Sequence, residues 1–455
     1  MNRHSHPDPL MTAVEDRPIP LRKRTDLQIQ ESLFQDEKSW IVKDPIGLRY
    51  HRLRKAEISV LNMLDGQHTL RDIKEHLQDL FPTKLVRLGD LQGLLASLHR
   101  AGMVIADTAG QANQLLTRKR ENNRRQWMGR LSNVLAIRLP GFDPEWILKR
   151  IDPWFGWIFS KPAFVGWAIL ALAALTLVGA NWTEFQLKMP QFYSFFGPRN
   201  FFWLALVMIG TKVCHEFGHG LACKRFGGEC HEIGVLLLVF TPAMYCDTSD
   251  SWLLPNKWHR AAIGAAGMYV EVFIASIATF LWWYSKPGLF HYLCLNVMFV
   301  SSVSTVIFNA NPLLRYDGYY ILSDIMEIPN LAQKSRLALM NFLRVTCLGM
   351  KPVSPRQLPE RNQLLFACYS IASFCYRWVV LFVIVYFLVK IFEPYDLEVI
   401  GYGLVAVSFV GMIVMPLVLL GKLFAVPGRL QDVKRKRLWA SVGVVALVLA
   451  ALIWI

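Results

Sequence analysis

The sequence is short of charge. Only 18% of its 455 residues are Asp, Glu, Lys or Arg, against 53% hydrophobic. That balance excludes an ordinary soluble fold over most of the length. Acidic residues are the scarcer sign, 34 against 49 basic, for a net charge of +15. The eight cysteines include no CxxC pair, which excludes a disulfide framework or a standard thiolate zinc module. Cys294, Cys368 and Cys375 lie inside apolar runs, as buried free thiols do. Cys214, Cys223, Cys230 and His231 cluster in the chain, but without zinc-module spacing they read as buried thiols rather than a second metal site. Met1 to Leu10 is polar and has no apolar h-region, so no cleavable signal is expected. The basic excess does not point to nucleic acid, because most Lys and Arg sit in loops between apolar segments.

What is present is a series of apolar runs, each about 20 residues and long enough to cross a bilayer as a helix. They are Ala163–Ala180, Phe201–Ala222, Ala261–Tyr284, Tyr292–Ala310, Leu364–Ile391, Val399–Leu420 and Leu438–Ile455. The shorter Val- and Leu-rich run Ile233–Pro242 reads as a re-entrant strand or hairpin. One set of alternate loops holds Lys224, Arg225, Lys257, Arg260, Arg315, Lys334, Arg336, Arg344 and Lys434 to Arg437, whereas the other holds only Lys188, Arg199 and Lys286. The positive-inside rule then gives about seven spans in the inner (cytoplasmic) membrane, N-terminus in the cytoplasm. Ahead of the first span, Trp146, Trp154, Phe155, Trp157 and Phe159 interleave with Lys149, Arg150 and Lys161, a pattern for a helix in the headgroup region.

His215-Glu216-Phe217-Gly218-His219 is an HExxH motif inside the second run. On a helix, residues four apart share a face, so both imidazoles can hold one metal ion. Neutral imidazoles suit Zn²⁺ with an open coordination position, and a carboxylate that is not a ligand, Glu216, can take a proton from the acidified water. Ionisable groups inside a span are functional candidates by default. The fourth run ends in Asn311-Pro312-Leu313-Leu314-Arg315-Tyr316-Asp317-Gly318, and the topology puts Asp317 at the depth of His219, towards the cytoplasmic face. Asp317 is therefore the candidate third ligand, with Arg315 its competing partner. Asn311-Pro312 should interrupt the helix.

HEFGH in one span and NPLLRYDG in a later one resemble the site-2 protease family of intramembrane zinc metalloproteases. The stretches Thr241 to Asp247 and Asp317 to Asp324 resemble a bacterial branch named as candidate peptide zinc metalloproteases. The resemblance implies that His215, His219 and Asp317 bind zinc, that Glu216 is the general base, and that Asn311 helps position substrate or oxyanion. Many members carry Gly-Pro-x-x-Asn in the third span, where this chain reads Gly267-Met268-Tyr269-Val270-Glu271. Glu271 is then a candidate replacement for that Asn. Longer members continue into an HlyD-like adaptor region, which implies an export or efflux partner.

Residues 38–106 read as a small α/β winged-helix unit. Ser39–Tyr50 fits two short strands around Asp44-Pro45, and Ala56–Leu64 is helix-periodic. Thr69-Leu70-Arg71-Asp72 is a capping box for a second helix, and Leu88–Ala101 forms a third that ends at Gly102. The run Arg49 to Leu53 with Leu64 to Leu70 resembles PqqD-like domains, which implies a bound peptide adding as a strand. The expected organisation is a tail at 1–37, the PqqD-like domain at 38–106 and a basic linker with the interfacial segment at 107–162. A zinc membrane core at 163–331, a cytoplasmic loop at 332–363 and C-terminal spans at 364–455 complete it. The expected fold is thus mainly α and polytopic. The expected function is zinc-dependent cleavage of a peptide or membrane-protein substrate at the cytoplasmic side of the membrane, in peptide maturation; the rival is a non-hydrolytic component of an export or efflux assembly.

Overall fold

The computed structural model describes residues 16–34, 37–83, 85–106, 136–238, 241–346, 349–350 and 362–395, with single positions at 399, 403, 406, 410 and 443. Two compact units divide the chain, Met1–Ser160 with Glu216–Ile263, and Lys161–His215 with Gly264–Ile455. The division falls inside one continuous helix, Pro198–Arg225.

The first unit opens with β1 (Leu21–Lys23), β2 (Gln28–Phe34), β3 (Glu37–Asp44) and β4 (Arg49–Arg54), followed by α1 (Lys55–Met63), α2 (Leu70–Leu80), α3 (Leu88–Arg100) and β5 (Val104–Ala106). Strands β2, β3 and β4 form one antiparallel sheet, and β1 pairs with β5. The hairpin over Asp44-Pro45 and the three helices lie where the sequence places them. Strands β1 and β2 precede residue 38 and were not among the expected elements. Thr69 and Asp72 form the capping box, with the Asp72 amide donating to Thr69 Oγ1 at 3.2 Å and the Thr69 amide to Asp72 Oδ2 at 2.8 Å. Beyond α3 the chain turns at Gly102, whose φ of 76° favours glycine. Leu70, Ile73 and Leu77 of α2 and Leu91, Leu95 and Leu98 of α3 face inward at helical spacing onto Val42, Leu53 and Leu61. Each such side chain contributes about 1.5–3 kcal/mol on burial.

The same unit contains β6 (Ala136–Arg138), α4 (Glu145–Phe155), β7 (Ile233–Leu238) and β8 (Thr241–Cys246). The run read as a re-entrant strand or hairpin is the antiparallel pair β7–β8, and β6 adds to the other side of β7. Among the described residues strand β8 is therefore an outer strand. Pro242 within it fits an outer position, since proline has no N–H for a second neighbour. Leu148, Leu221, Cys230 and Ile233 form a buried cluster, with Phe217, Met244 and Cys246 packed on it. That cluster seats the hairpin against the part of the long helix that carries the HExxH motif. On α4 and just after it, Trp146, Trp154, Phe155 and Trp157 are exposed, as an interfacial helix requires.

The second unit is helical: α5 (Lys161–Ala180), α6 (Trp182–Lys188), α7 (Phe192–Phe195), the first part of α8 (Pro198–Arg225), most of α9 (Lys257–Tyr284), α10 (Leu289–Val303), α11 (Asp317–Ile325), α12 (Leu331–Thr346) and α13 (Gln363–Phe392). Among the described residues five helices are long and apolar enough to cross a membrane: Lys161–Ala180, Pro198–Arg225, Lys257–Tyr284, Leu289–Asn309 and Gln363–Phe392. The protein is thus mainly helical, with a small strand-rich N-terminal domain. The spans expected at Val399–Leu420 and Leu438–Ile455 fall outside the described residues, apart from single positions. Helix α5 shows why such helices belong in lipid: Phe164, Val165, Ile169, Leu172 and Leu175 are all exposed. Within the unit, Asn200 and Asn296 are buried and exchange two side-chain amide bonds of 3.0 Å, tying α8 to α10.

Candidate metal centre

Helix α8 carries the motif. Its apolar N-terminal part gives way to His215, Glu216 and His219, all buried at 4%, 9% and 7% exposure. It ends where Gly227, with φ of 94°, turns the chain out of the helix and the Gly228 amide donates to Cys223 O at 2.9 Å. Lys224 and Arg225 occupy the last turn, where the helix dipole favours cations.

Nδ1 of each imidazole faces an oxygen. That of His219 lies 2.8 Å from the Ile263 carbonyl, a partner that only accepts, so Nδ1 carries the proton and Nε2 the lone pair. That of His215 stands 3.3 Å from Glu271 Oε1, and its Nε2 stands 3.0 Å from Asp317 Oδ2. His215, His219 and Asp317 each offer a ligand atom, and these atoms all lie within 4.8 Å of one another. Ligands about 2.0–2.1 Å from a tetrahedral zinc stand roughly 3.3 Å apart. The His215–Asp317 pair is already at that spacing, and two nitrogens and one carboxylate oxygen are a donor set that suits zinc and leaves a coordination position open. Glu216 is the motif's remaining carboxylate and lies beside His215 in the chain.

Asp317 is placed by the break between α10 and α11. Helix α10 widens into π-helical turns over Ser304–Asn309, and the Asn311 side chain then accepts from the Leu313 amide at 2.9 Å, closing an Asx turn. Helix α11 starts at Asp317 itself. A Cβ on Gly318 would stand 2.6 Å from the Ala310 carbonyl oxygen and 2.8 Å from that of Asn309. Only glycine allows this approach. Gly318→Ala is therefore expected to displace Asp317, costing about 1–3 kcal/mol in overpacking. Zinc retention against a chelator should fall, while circular dichroism still reports the helical fold. Unchanged zinc retention would show that the tight approach does not position the ligand.

Arg315 was the alternative partner for Asp317. Its guanidinium instead lies over the Tyr319 ring, 5.8 Å from the centroid, and forms an ion pair with no described residue. Glu271, expected near substrate, is fully buried. Its Oε1 accepts from Lys212 at 2.6 Å, and its Oε2 from Thr305 at 2.6 Å and Asn309 at 3.4 Å. Lys212 also bonds Ser304 Oγ. Lys212 escaped the sequence reading, although a lysine within an apolar span one turn ahead of HExxH was a usable signal.

The cysteines do not form a second centre among the described residues. Cys230 Sγ and Cys246 Sγ are 3.3 Å apart, Cys223 Sγ faces the Glu229 carbonyl and Cys214 is exposed. A second group, Glu229, His231 and Asp250, has the proximity a metal site needs. Lys43 already supplies its positive charge, 2.6 Å from Asp250 Oδ1 and 3.5 Å from Glu229 Oε2. Tyr50 donates to the same Asp250 oxygen at 2.5 Å, and the Glu229 amide to Asp250 Oδ2 at 3.0 Å. These contacts lock β3 and β4 onto the segment that surrounds β7 and β8. Burial alone would raise the Asp250 carboxyl, but the Lys43 and Tyr50 bonds outweigh it and hold the group below the usual aspartate range. Burial, then the Asp250 bond, pushes the Tyr50 phenol well above its ordinary value.

A mainly helical chain with five membrane-length apolar helices and a group of two histidines and one aspartate has the features of a metal-binding membrane protein. The known proteins add one partial likeness. Over 135 residues the chain is 24% identical to YydH of Bacillus subtilis (strain 168), named as a candidate peptide zinc metalloprotease, across 30% of this chain and 52% of that protein. The chain thus spans about half the length of that relative, and the likeness is of a zinc-metalloprotease kind. No protein-family model matches the chain, and no solved structure matches it.

Proposed function

We propose that the chain is an intramembrane zinc metalloendopeptidase of the site-2-protease type, cleaving a peptide or membrane-protein substrate near the cytoplasmic side of the inner membrane. The observation that carries this reading is the convergence of His215, His219 and Asp317, with Glu216 on the same buried turn. Those three residues would hold the metal. When bound, zinc supplies Lewis acidity, acidifying water and polarising a peptide carbonyl. The chain's own residues do the rest. His219 presents Nε2 because its Nδ1 faces the Ile263 carbonyl, His215 would present the Nε2 that stands beside Asp317, Asp317 contributes negative charge, and Glu216 takes the proton of the attacking water and passes it to the leaving amine.

A helical substrate hides its amides, so the scissile segment must be extended. The proposed seat for it moves from β7, which is flanked on both sides, to the outer edge of β8. Cys246 at the end of β8 and Phe217 of the motif pack on the same buried cluster, so a strand added there would run near Glu216. The N-terminal domain, read as PqqD-like, would deliver the peptide from the cytoplasm. Asn311 would help to position it.

Comparative peptide mass spectrometry of membranes from cells carrying wild-type or Glu216→Gln protein tests this reading. Substrates should accumulate uncleaved with the variant. Identical peptide profiles at equal protein levels would favour a non-hydrolytic role in an export assembly.

A further inference from the structure

Glu271 sits at the centre of a buried polar network wholly inside the helical unit. It lies on α9, a span in which an unpaired carboxylate would be prohibitively costly. One carboxylate oxygen accepts from Lys212 Nζ and stands 3.3 Å from His215 Nδ1, and the other accepts from Thr305 and Asn309. Three of a carboxylate's about four acceptor sites are thus filled, and Glu271 is fully buried. Ser304, Thr305 and Asn309 belong to one π-helical segment, with Asn309 about one wide turn beyond the adjacent pair Ser304 and Thr305. Lys212 and His215 are three residues apart on α8 and so face the same way. The network thus joins three membrane-length helices behind one nitrogen of one imidazole.

We propose that Glu271 is a positioning residue for His215, facing Nδ1 so that Nε2 points at the metal, with Lys212 as its counter-charge in the apolar span. A carboxylate on the outer nitrogen of a metal-bound histidine fixes its tautomer and orientation and raises its basicity. Lys212 supplies the compensating charge, and Thr305 and Asn309 fix the rotamer. This assignment replaces the substrate-facing role expected for Glu271. It rests on the reading of His215, His219 and Asp317 as a zinc site.

The test measures zinc affinity of purified full-length protein in detergent, by competition with a chromophoric chelator, together with the visible spectrum of the Co²⁺-substituted protein. Glu271→Gln should weaken zinc binding about 10- to 100-fold and change the Co²⁺ bands. Because that variant leaves Lys212 without its counter-charge, the double variant Lys212→Met/Glu271→Gln is measured beside it. Exchanging a buried ion pair for groups of similar volume is often close to neutral for folding. The double variant should therefore regain the wild-type melting behaviour and still bind zinc 10- to 100-fold more weakly. Wild-type zinc affinity and Co²⁺ bands in a folded double variant would overturn the proposal and reduce the network to a structural staple. A wild-type chain that binds no zinc would overturn the metal-centre reading itself, a result distinct from the first.

Discussion

Glu216→Gln should lower the turnover of a cleaved peptide by about 10²- to 10⁴-fold, the range general acid–base groups contribute. That loss corresponds to about 2.7–5.5 kcal/mol in the barrier. Zinc content should not change. The reason lies in the division of labour on one turn of α8: His215 and His219 offer ring nitrogens, and Glu216 is the carboxylate outside the ligand group. Glutamine keeps the shape and removes the basic oxygen. The measurement is kcat on a synthetic peptide in detergent, paired with metal analysis of the same sample. Activity within tenfold of wild type would remove Glu216 from the chemistry, and loss of zinc would make it a ligand.

The second large effect concerns the N-terminal domain. Asp250→Asn should open the lock between β3, β4 and the segment around residues 229–250, at a cost of about 3–5 kcal/mol. The magnitude follows from burial. The side chains of Lys43 and Asp250 are only 4% and 6% exposed, so the substitution leaves a buried ammonium with only the Glu229 carboxylate, 3.5 Å away and 47% exposed. Hydrogen exchange of β3 and β4 amides in the intact protein should accelerate by about two to three orders of magnitude. The pH dependence has a definite sign. The folded Asp250 carboxyl is held below its usual range by Lys43 and Tyr50 against the effect of burial. Its contribution is therefore fully present above the unfolded value of about 3.9 and is lost as pH falls through the lower folded value. Wild-type protection should hold from neutral pH down to that region, and the variant should show no Asp250-linked change. Equal exchange in the two proteins would mean the lock carries no stability.

Much of the helical architecture was legible in the sequence because lipid demands uninterrupted apolar length. Leu364–Ile391 differs from the observed Gln363–Phe392 by a residue at each end. In the N-terminal domain the helices were legible through period and caps, with Thr69 and Asp72 the clearest case. Strand β2 was not, since QIQESLF is half polar, as an outer strand can be. Strand β6 has three residues, too few to show a period, so the outer position of β8 was not legible either.

The candidate site divides the same way. His215, Glu216 and His219 were visible as spacing, and Asp317 as a carboxylate at matching depth. The surroundings of Glu271 were not, because they depend on a π-helical turn that aims Thr305 and Asn309 at it. Lys43 and Asp250 meet across more than two hundred residues, and no local pattern predicts that.

X-ray absorption at the zinc edge of the purified, full-length protein tests the central claim most directly. The account predicts a shell of light scatterers at about 2.0–2.2 Å, two of them imidazoles with their outer-ring signals, and no sulfur at about 2.3 Å. Substituting Asp317 by Ala should remove one oxygen scatterer or the metal. A sulfur shell, or a zinc signal unaltered by substitution of His215, His219 and Asp317, would place the metal elsewhere and contradict the account.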